Sequence, residues 1–445
     1  MRKLKKEDNQ MHQKAAFFKA VFWCRITNMK YHIITFGCQM NISDSERIAS
    51  VLEKMEYQKA SNIEKADLVL VNMCSVRQSA VDRVFGVAPR LKELKVKNQK
   101  LKTILTGCVL KKDKIEFKKI FDLVSDIKDL PKIPKILNNK YSILNIKDYF
   151  KIRPKHENPF SAFVPIMTGC NNFCSYCAVP YTRGCEISRP AREILSEIKN
   201  LIKKGVKEIW LLGQNVNSYR NGKVNFPKLL SMVNDIKGNF WIRFTSSHPK
   251  DFSDELIKVM AKSKKVTPYL NLPAQSGDNE ILRKMNRHYK ISQYKTIIRK
   301  IRRKMPEIAL STDIIVGFPG ETKRQFENTV KLFEEIKYDM AYIAKYSPRS
   351  GTAAAKLKDD VIPEEKEKRY RILTEILKNS ALGKNKKFIG KGTEVLVEKS
   401  KNGFLIGKTR HYKTVKSKGT KKLLGQFIKL KIVDADSFGL EGKLI

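Results

Sequence analysis

Acidic residues are scarce in this chain: 45 Asp and Glu stand against 89 Lys and Arg in 445 residues, a formal net charge of +44. Such a deficit says little about fold. It points to a polyanionic partner, nucleic acid before anionic membrane, although lysine is spread over the whole chain and part of the surplus is solvated surface. Long apolar runs are missing as well. No stretch of about 18 uncharged apolar residues exists, which excludes a membrane-spanning helix. The apolar segment 15–24 is interrupted by Lys19 and has no small-residue cleavage site behind it. It reads as part of a basic tail rather than an export signal. That tail, 1–28, holds seven Lys and Arg and two acids, and is expected to be disordered. A transit peptide is the other reading, and Met29 would also serve as a start. The expected location is the cytoplasm, with no membrane partner. Hydrophobic residues reach 42%, enough for large cores, so a disordered or collagen-like chain is excluded. At roughly 150 residues per domain, two to four domains are expected.

Cysteine is sparse too, with eight in all: Cys24, Cys38, Cys74, Cys108, Cys170, Cys174, Cys177 and Cys185. Without an export signal, disulfides are not expected, and spaced cysteines then indicate metal or redox chemistry. The pattern around them repeats. Tyr31–Gly37, Leu68–Met73 and Leu101–Gly107 are continuous apolar runs, separated by helix-like stretches from Ser43 to about Met55 and Val76 to Leu94. Alternation of that kind predicts a parallel α/β sheet. Each run is followed at once by a cysteine: Cys38, Cys74 and Cys108. Ligand sites in parallel sheets lie at the carboxyl ends of strands, so three thiols 36 and 34 positions apart can converge there. Three buried structural thiols are the bland alternative.

Residues 110–158 are Lys-rich, with Pro131, Pro134 and Pro154, and read as the end of one domain and a linker. From 160 to 350 six strand candidates follow: Ala162–Met167, Glu208–Gln214, Phe240–Thr245, Tyr269–Leu272, Leu310–Val316 and Met340–Tyr346. Helix-period stretches separate them. The clearest is Phe326, Val330, Phe333 and Ile336, behind the start signal Gly320-Glu321-Thr322. Six β/α units make a partial or closed barrel with its chemistry at the strand C-terminal ends. Pro363–Leu382 reads as a charged closing helix. Residues 391–445 change to short β runs, Thr393–Val397, Phe404–Lys408, Gln426–Ile432 and Gly439–Leu444, punctuated by Gly403, Gly407, Gly419 and Gly425. A small antiparallel barrel is expected. Its 13 Lys and Arg against 5 acids, with Phe404, Tyr412 and Phe427 interleaved, match a nucleic-acid platform. A merely solvated barrel remains open.

The chemistry sits in Gly169-Cys170-Asn171-Asn172-Phe173-Cys174-Ser175-Tyr176-Cys177, directly after the first barrel strand. Zinc sites usually close a tetrahedron with two CxxC or CxxH pairs. Here one tight CxxxCxxC loop supplies three thiolates and no fourth ligand is near. A 4Fe–4S cube on three thiolates keeps one iron open for a cofactor. Tyr176, just before the third cysteine, suits packing against an adenine. This motif at the first strand of a β/α barrel resembles the radical S-adenosylmethionine superfamily.

Three upstream cysteines, the radical motif and a basic β-barrel together are similar to the methylthiotransferase family across residues 30–445. The run Cys170–Gly184 continuing to Ser188-Arg189-Pro190, with Gly213–Tyr219, Thr245–Pro249, Leu272–Gly277 and Asp313–Glu321, resembles its tRNA branch. The resemblance implies an α/β chain of three domains behind the tail: a methylthiotransferase domain at 29–150, a radical (β/α)6 domain at 151–385 and a TRAM-like RNA-binding barrel at 386–445. It implies that Cys170, Cys174 and Cys177 hold the radical-generating cluster and Cys38, Cys74 and Cys108 a second 4Fe–4S cluster that delivers sulfur. Two S-adenosylmethionine molecules would serve each turnover. One gives its methyl to sulfur, and the other is cleaved to a 5′-deoxyadenosyl radical. The acceptor would be carbon 2 of dimethylallyladenosine at tRNA position 37, in the anticodon loop. An unactivated aromatic C–H has no useful acidity, so acid–base catalysis would not open it.

Tyr176, Gln275, Ser276, Gly317 and Glu321 are candidate cofactor contacts. Gly277, Gly320 and the strand-end His248 stand beside them. Each also has a structural reading, as turn, cap or core. Arg183, Arg189 and Arg243 are candidates for a cofactor carboxylate or an RNA phosphate. Cys185 departs from the family pattern and, with Cys24, receives no role. An electron donor of unidentified nature and a monomeric state complete the expectation. Two other readings stay open: the same chemistry on threonylcarbamoyladenosine tRNA or a ribosomal protein, and a non-catalytic iron–sulfur RNA-binding protein.

Overall fold

The computed structural model describes residues 29–76, 78–137 and 149–445. The tail 1–28, with Cys24 and its expected disorder, lies outside them. The chain divides into two compact units, the first ending at Glu157 and the second running from Asn158 to Ile445.

The first unit is built on five parallel strands, β1 (Lys30–Phe36), β2 (Gln58–Lys59), β3 (Leu68–Cys74), β4 (Lys102–Cys108) and β5 (Leu123–Val124), in the order β2-β1-β3-β4-β5. Central β3 is buried along its whole length, which is why its residues read as a continuous apolar run. Its side chains alternate between two cores. Val69, Val71 and Met73 pack with Val81, Val84 and Leu91 of helix Gln78–Lys97, whereas Leu68 and Leu70 pack with Ile48, Val51 and Leu52 of helix Gln39–Lys54. The stretch read as domain end and linker is folded where it is described. Phe117, Phe121, Ile127, Leu130, Ile133, Phe150 and Ile152 are all buried.

The second unit opens with the six expected strands: β6 (Ser161–Pro165), β7 (Glu208–Leu212), β8 (Trp241–Phe244), β9 (Tyr269–Asn271), β10 (Ala309–Val316) and β11 (Met340–Lys345). They form two parallel three-stranded ribbons, β8-β7-β6 and β9-β10-β11. One parallel bridge, Ile242 to Val266, spans the seam between them. Thr322 caps helix Lys323–Ile336 and forms a capping box with Gln325. Phe326, Phe333 and Ile336 are buried in the barrel core, with Val330 packed against it.

Helix Pro363–Lys386 leads to a closed barrel of β12 (Gly392–Lys401), β13 (Phe404–Thr409), β14 (Thr414–Lys418), β15 (Phe427–Ala435) and β16 (Leu440–Leu444), ordered β12-β13-β14-β16-β15. Two features differ from the sequence reading. Strand β14 is too lysine-rich for an apolar run, although Val415 and Ser417 alternate inward. The β14–β16 pair that closes the barrel is parallel, the other pairs antiparallel.

Arg243 requires a correction. It was a candidate for a cofactor or an RNA phosphate, yet it is fully buried where the terminal barrel meets the N-terminal ends of the β6–β11 strands. Its Nε donates to Glu208 Oε1 (2.6 Å), Nη1 to Thr267 Oγ1 (2.9 Å) and Arg410 O (2.9 Å), and Nη2 to Thr409 O (2.8 Å). The faces of Trp210, Trp241 and Tyr412 surround the guanidinium at 5.0 to 5.7 Å. Beside it, Asp339 bridges Lys384 of the long helix (2.8 Å) and Lys413 of the terminal barrel (2.7 Å). Burial would raise the Asp339 carboxyl, but the two ammonium groups outweigh it and hold it below its usual range. Cutting the central pair should be costly, since both side chains are at most 2% exposed. Glu208→Ala leaves a buried cation unpaired and is expected to remove about 3–5 kcal/mol of stability in urea unfolding. A loss below about 1 kcal/mol would mean that the backbone carbonyls alone carry the charge.

Candidate functional site

The nine-residue loop behind β6 is held from every side. Gly169 has φ +77°, and a Cβ there would lie 1.9 Å from Cys185 O, so only glycine fits. Cys170 N–H donates to Gly184 O (3.2 Å), Ser175 N–H to Met285 O (3.0 Å), and Ser175 Oγ to Lys284 O (2.7 Å). Asn286 Nδ2 reaches the carbonyls of Asn172 (3.2 Å) and Phe173 (2.9 Å), and Lys250 Nζ donates to Asn172 Oδ1 (2.9 Å). Apart from Gly184, these anchors lie more than 70 residues downstream, beyond any local motif.

Within the loop Cys170 and Cys174 are buried and Cys177 is partly so. Burial pushes the Cys177 thiol up to about 12, and the adjoining Cys174 and Cys170 add to the shift. Cys170 is raised for the same reasons. Cys170 and Cys177 thus both lean toward the neutral thiol, each with Cys174 as a neighbour. One positive group is already in place, Arg287, whose Nη1 donates to Cys174 Sγ at 3.5 Å. Three adjoining thiols with no other metal-type side chain in the loop have the chemistry that an iron–sulfur cube with one open iron requires. Among the described residues, no three Cys, His, Asp or Glu side chains close on a single-ion centre.

The other candidates surround this loop in different ways. Tyr176 packs against Ile281, Met285, Phe318, Tyr346 and Ala354. Gln275 has φ +68° and bridges β10, accepting from Ile315 N–H (3.0 Å) and donating its own N–H to Asp313 O (2.8 Å). Ser276 is fully buried and its Oγ accepts from Asp278 N–H (3.2 Å). Gly317 turns at φ +67°, its N–H donating to Glu321 Oε2 at 2.6 Å. That same carboxylate accepts from Arg369 Nη1 (2.8 Å), so Glu321 is engaged in holding the turn. Burial raises it, against those two donors. Gly277 lies against the backbone of Asn328 and Thr329, where a Cβ would sit 2.5 Å away, Gly320 turns at φ +72°, and Arg189 is buried against Glu197 (2.5 Å).

In the first unit, Cys74 and Cys108 end adjacent strands as register partners. Cys38 heads helix Gln39–Lys54, where Asn41 Oδ1 accepts from its N–H (3.2 Å) and Sγ (3.4 Å). Asn41 Nδ2 then donates to Asn72 Oδ1 (3.2 Å) and Met73 O (3.1 Å), tying Cys38 to the end of β3. Asn41, Asn72 and Arg287 were not singled out in the sequence. A polar Asn72 inside an otherwise apolar strand was the one available signal.

Three family models match: the radical SAM superfamily over residues 164–333, an uncharacterized protein family, UPF0004, over 30–127, and the TRAM domain over 386–445. A tRNA-2-methylthio-N(6)-dimethylallyladenosine synthase of Clostridium novyi (strain NT) is 43% identical over 440 residues, covering 94% of this chain and 97% of the relative. The chain belongs to the tRNA-2-methylthio-N(6)-dimethylallyladenosine synthase family. A second such synthase, of Caldicellulosiruptor saccharolyticus, is 42% identical over 94% of this chain and 93% of its own.

Solved structures show the fold more distantly. A radical S-adenosylmethionine methyltransferase, TsrM, from Kitasatospora setae aligns at TM-score 0.50 and 13% identity over 74% of this chain and 77% of its own. The radical enzyme OxsB aligns at TM-score 0.52 and 10% identity over 78% and 56%. For a synthase of this family the loop geometry makes a sharp demand. Gly169→Ala, which drives a methyl into Cys185 O, should abolish iron uptake at Cys170, Cys174 and Cys177 while leaving the first unit loaded. Iron per chain after anaerobic reconstitution should fall by about half, to the four irons of one cube. Full loading would show that the loop relaxes around the methyl.

Proposed function

We propose that this chain inserts a methylthio group at carbon 2 of dimethylallyladenosine in the anticodon loop of tRNA, by radical S-adenosylmethionine chemistry. The single observation that carries the reading is the near full-length identity with synthases of that name, coinciding with three interacting thiols at the end of the first barrel strand. Cys170, Cys174 and Cys177 hold the radical-generating 4Fe–4S cluster, and Cys38, Cys74 and Cys108 hold the second. When bound, the two clusters supply the reductive cleavage of the cofactor and the sulfur that is transferred.

The chain's own residues do the rest. Arg287 sets a fixed positive charge beside Cys174, donating to its Sγ. Tyr176, standing on an apolar cluster, offers a ring face to the cofactor's adenine. The half-buried Gln275 and the buried Ser276, with the glycine turn at Gly317 pinned by Glu321, bring backbone groups close to the cofactor. The domain assignment follows: 29–150 for the second cluster, 151–385 for radical chemistry and 386–445 for holding RNA. Among the described residues no helix is long and apolar enough to cross a membrane. With a tRNA substrate, that supports a cytoplasmic enzyme, working as a monomer with a separate electron donor.

The deciding experiment is nucleoside mass spectrometry of total tRNA from cells with and without this chain. Methylthio-dimethylallyladenosine should vanish and its unthiolated precursor accumulate. Loss of a different methylthio nucleoside would keep the chemistry and move the acceptor. The two clusters separate in vitro. Cys174→Ala should release no 5′-deoxyadenosine, whereas Cys74→Ala should release it and yield no methylthio product. Normal product from Cys74→Ala would sink the two-cluster assignment.

A further inference from the structure

Five buried side-chain atoms without a hydrogen-bond partner sit on two adjoining loops at the C-terminal ends of β7 and β8: Gln214 Oε1, Asn215 Oδ1, Asn217 Nδ2, Ser247 Oγ and His248 Nε2. Each unsatisfied buried group costs about 1–3 kcal/mol, so such a concentration needs an explanation. The loops themselves are tied together by hydrogen bonds. Val216 N–H donates to Ser246 O (3.2 Å), His248 N–H to Asn217 Oδ1 (2.9 Å), and Asn215 Nδ2 to Asp251 Oδ2 (2.7 Å).

His248 is 4% exposed and its ring is fixed on both sides. Nδ1 accepts from Lys250 N–H (3.1 Å), and the ring stands edge-on to Tyr289 at 5.7 Å. Burial, with Arg287, Lys250 and His288 nearby, pushes the imidazole down to about 2, so it stays neutral. With Nδ1 accepting, the single ring proton resides on Nε2, a buried donor without an acceptor. Asn217 presents the same chemistry, because its Oδ1 is occupied and its Nδ2 is not. The pair lies close to the radical loop. Tyr289 Oη accepts from Arg287 Nε (3.3 Å), and Arg287 donates to Cys174 Sγ.

Carbon 2 of an adenine ring lies between two ring nitrogens, both hydrogen-bond acceptors. We propose that His248 Nε2 and Asn217 Nδ2 donate to the ring nitrogens flanking carbon 2, and that the adenine they hold is the target base of the RNA. The inference rests on the reading above that this carbon reacts, and adds the residues that seat it. Donors on both sides fix the direction of the C2–H bond, which proximity alone leaves free. The cofactor carries an adenine as well, so the test separates the two rings.

Full-length, cluster-reconstituted protein is titrated against a fluorescent anticodon stem-loop carrying dimethylallyladenosine, and against analogues with 1-deaza or 3-deaza rings at that position. Wild type should bind at least one analogue about tenfold more weakly than the parent, the equivalent of one lost hydrogen bond. His248→Leu should bind the parent about tenfold more weakly and show no further loss with the matching analogue. His248→Gln, which keeps a donor near Nε2, should retain most of the affinity and guards against a folding defect in the leucine variant. Affinity for S-adenosylhomocysteine should not change. The proposal is overturned if both analogues bind like the parent, if the analogue penalty persists in His248→Leu, or if the loss falls on S-adenosylhomocysteine instead. A wild-type protein that binds no stem-loop would overturn the proposed function along with it.

Discussion

Burial disfavours the thiolate, and this constraint governs the loop that carries the radical motif. In the second unit the loop 169–177 gathers three thiols in a space where Cys177 is raised by burial and by its two neighbours. The fold accepts that electrostatic cost by supplying Arg287 beside Cys174 and by pinning the loop backbone with Asn286, Lys250 and Ser175. The loop's rigidity thus comes from hydrogen bonds with distant residues.

The first unit places its thiols by topology. Parallel strands bring the ends of β3 and β4 level, so Cys74 and Cys108 become neighbours through register alone. Cys38 lacks that advantage because it begins a helix. The Asn41–Asn72 pair supplies the missing link, and Gly107 leaves room for it, since a Cβ there would lie 2.6 Å from Asn72 Oδ1. Sheet geometry places two thiols and a buried amide pair places the third.

Much of this was legible in the residues. The apolar runs of β1, β3 and β4, each leading to a cysteine, are a local signal, and so is the nine-residue motif behind β6. The six barrel strands and the capped helix at Thr322 follow from periodicity and cap chemistry. What stayed hidden depends on distant partners. Arg243 looked like a ligand for phosphate because Thr409 and Arg410 lie more than 160 positions away and contribute only backbone carbonyls, which no residue type betrays. Arg287 and Asn286 reach the loop from a turn with no motif of its own. Strand β14 escaped because lysines occupy its outward positions and blur the alternation.

The placement of the terminal barrel sets a geometric condition on the substrate. Its turn at Thr409–Lys413 is fastened to the N-terminal ends of strands whose opposite ends carry the reactive loop. Strands of three to eight residues at about 3.3 Å per residue put these two ends roughly 10–26 Å apart. An RNA that engages both must bridge that span along the outside of the β6–β11 barrel. A substrate gripped at both ends would be measured as by a calliper, with one jaw on the terminal barrel and the other at the reactive loop. A free nucleoside, however well it fits the reactive end, spans nothing and forgoes the gain in effective concentration that the second grip provides.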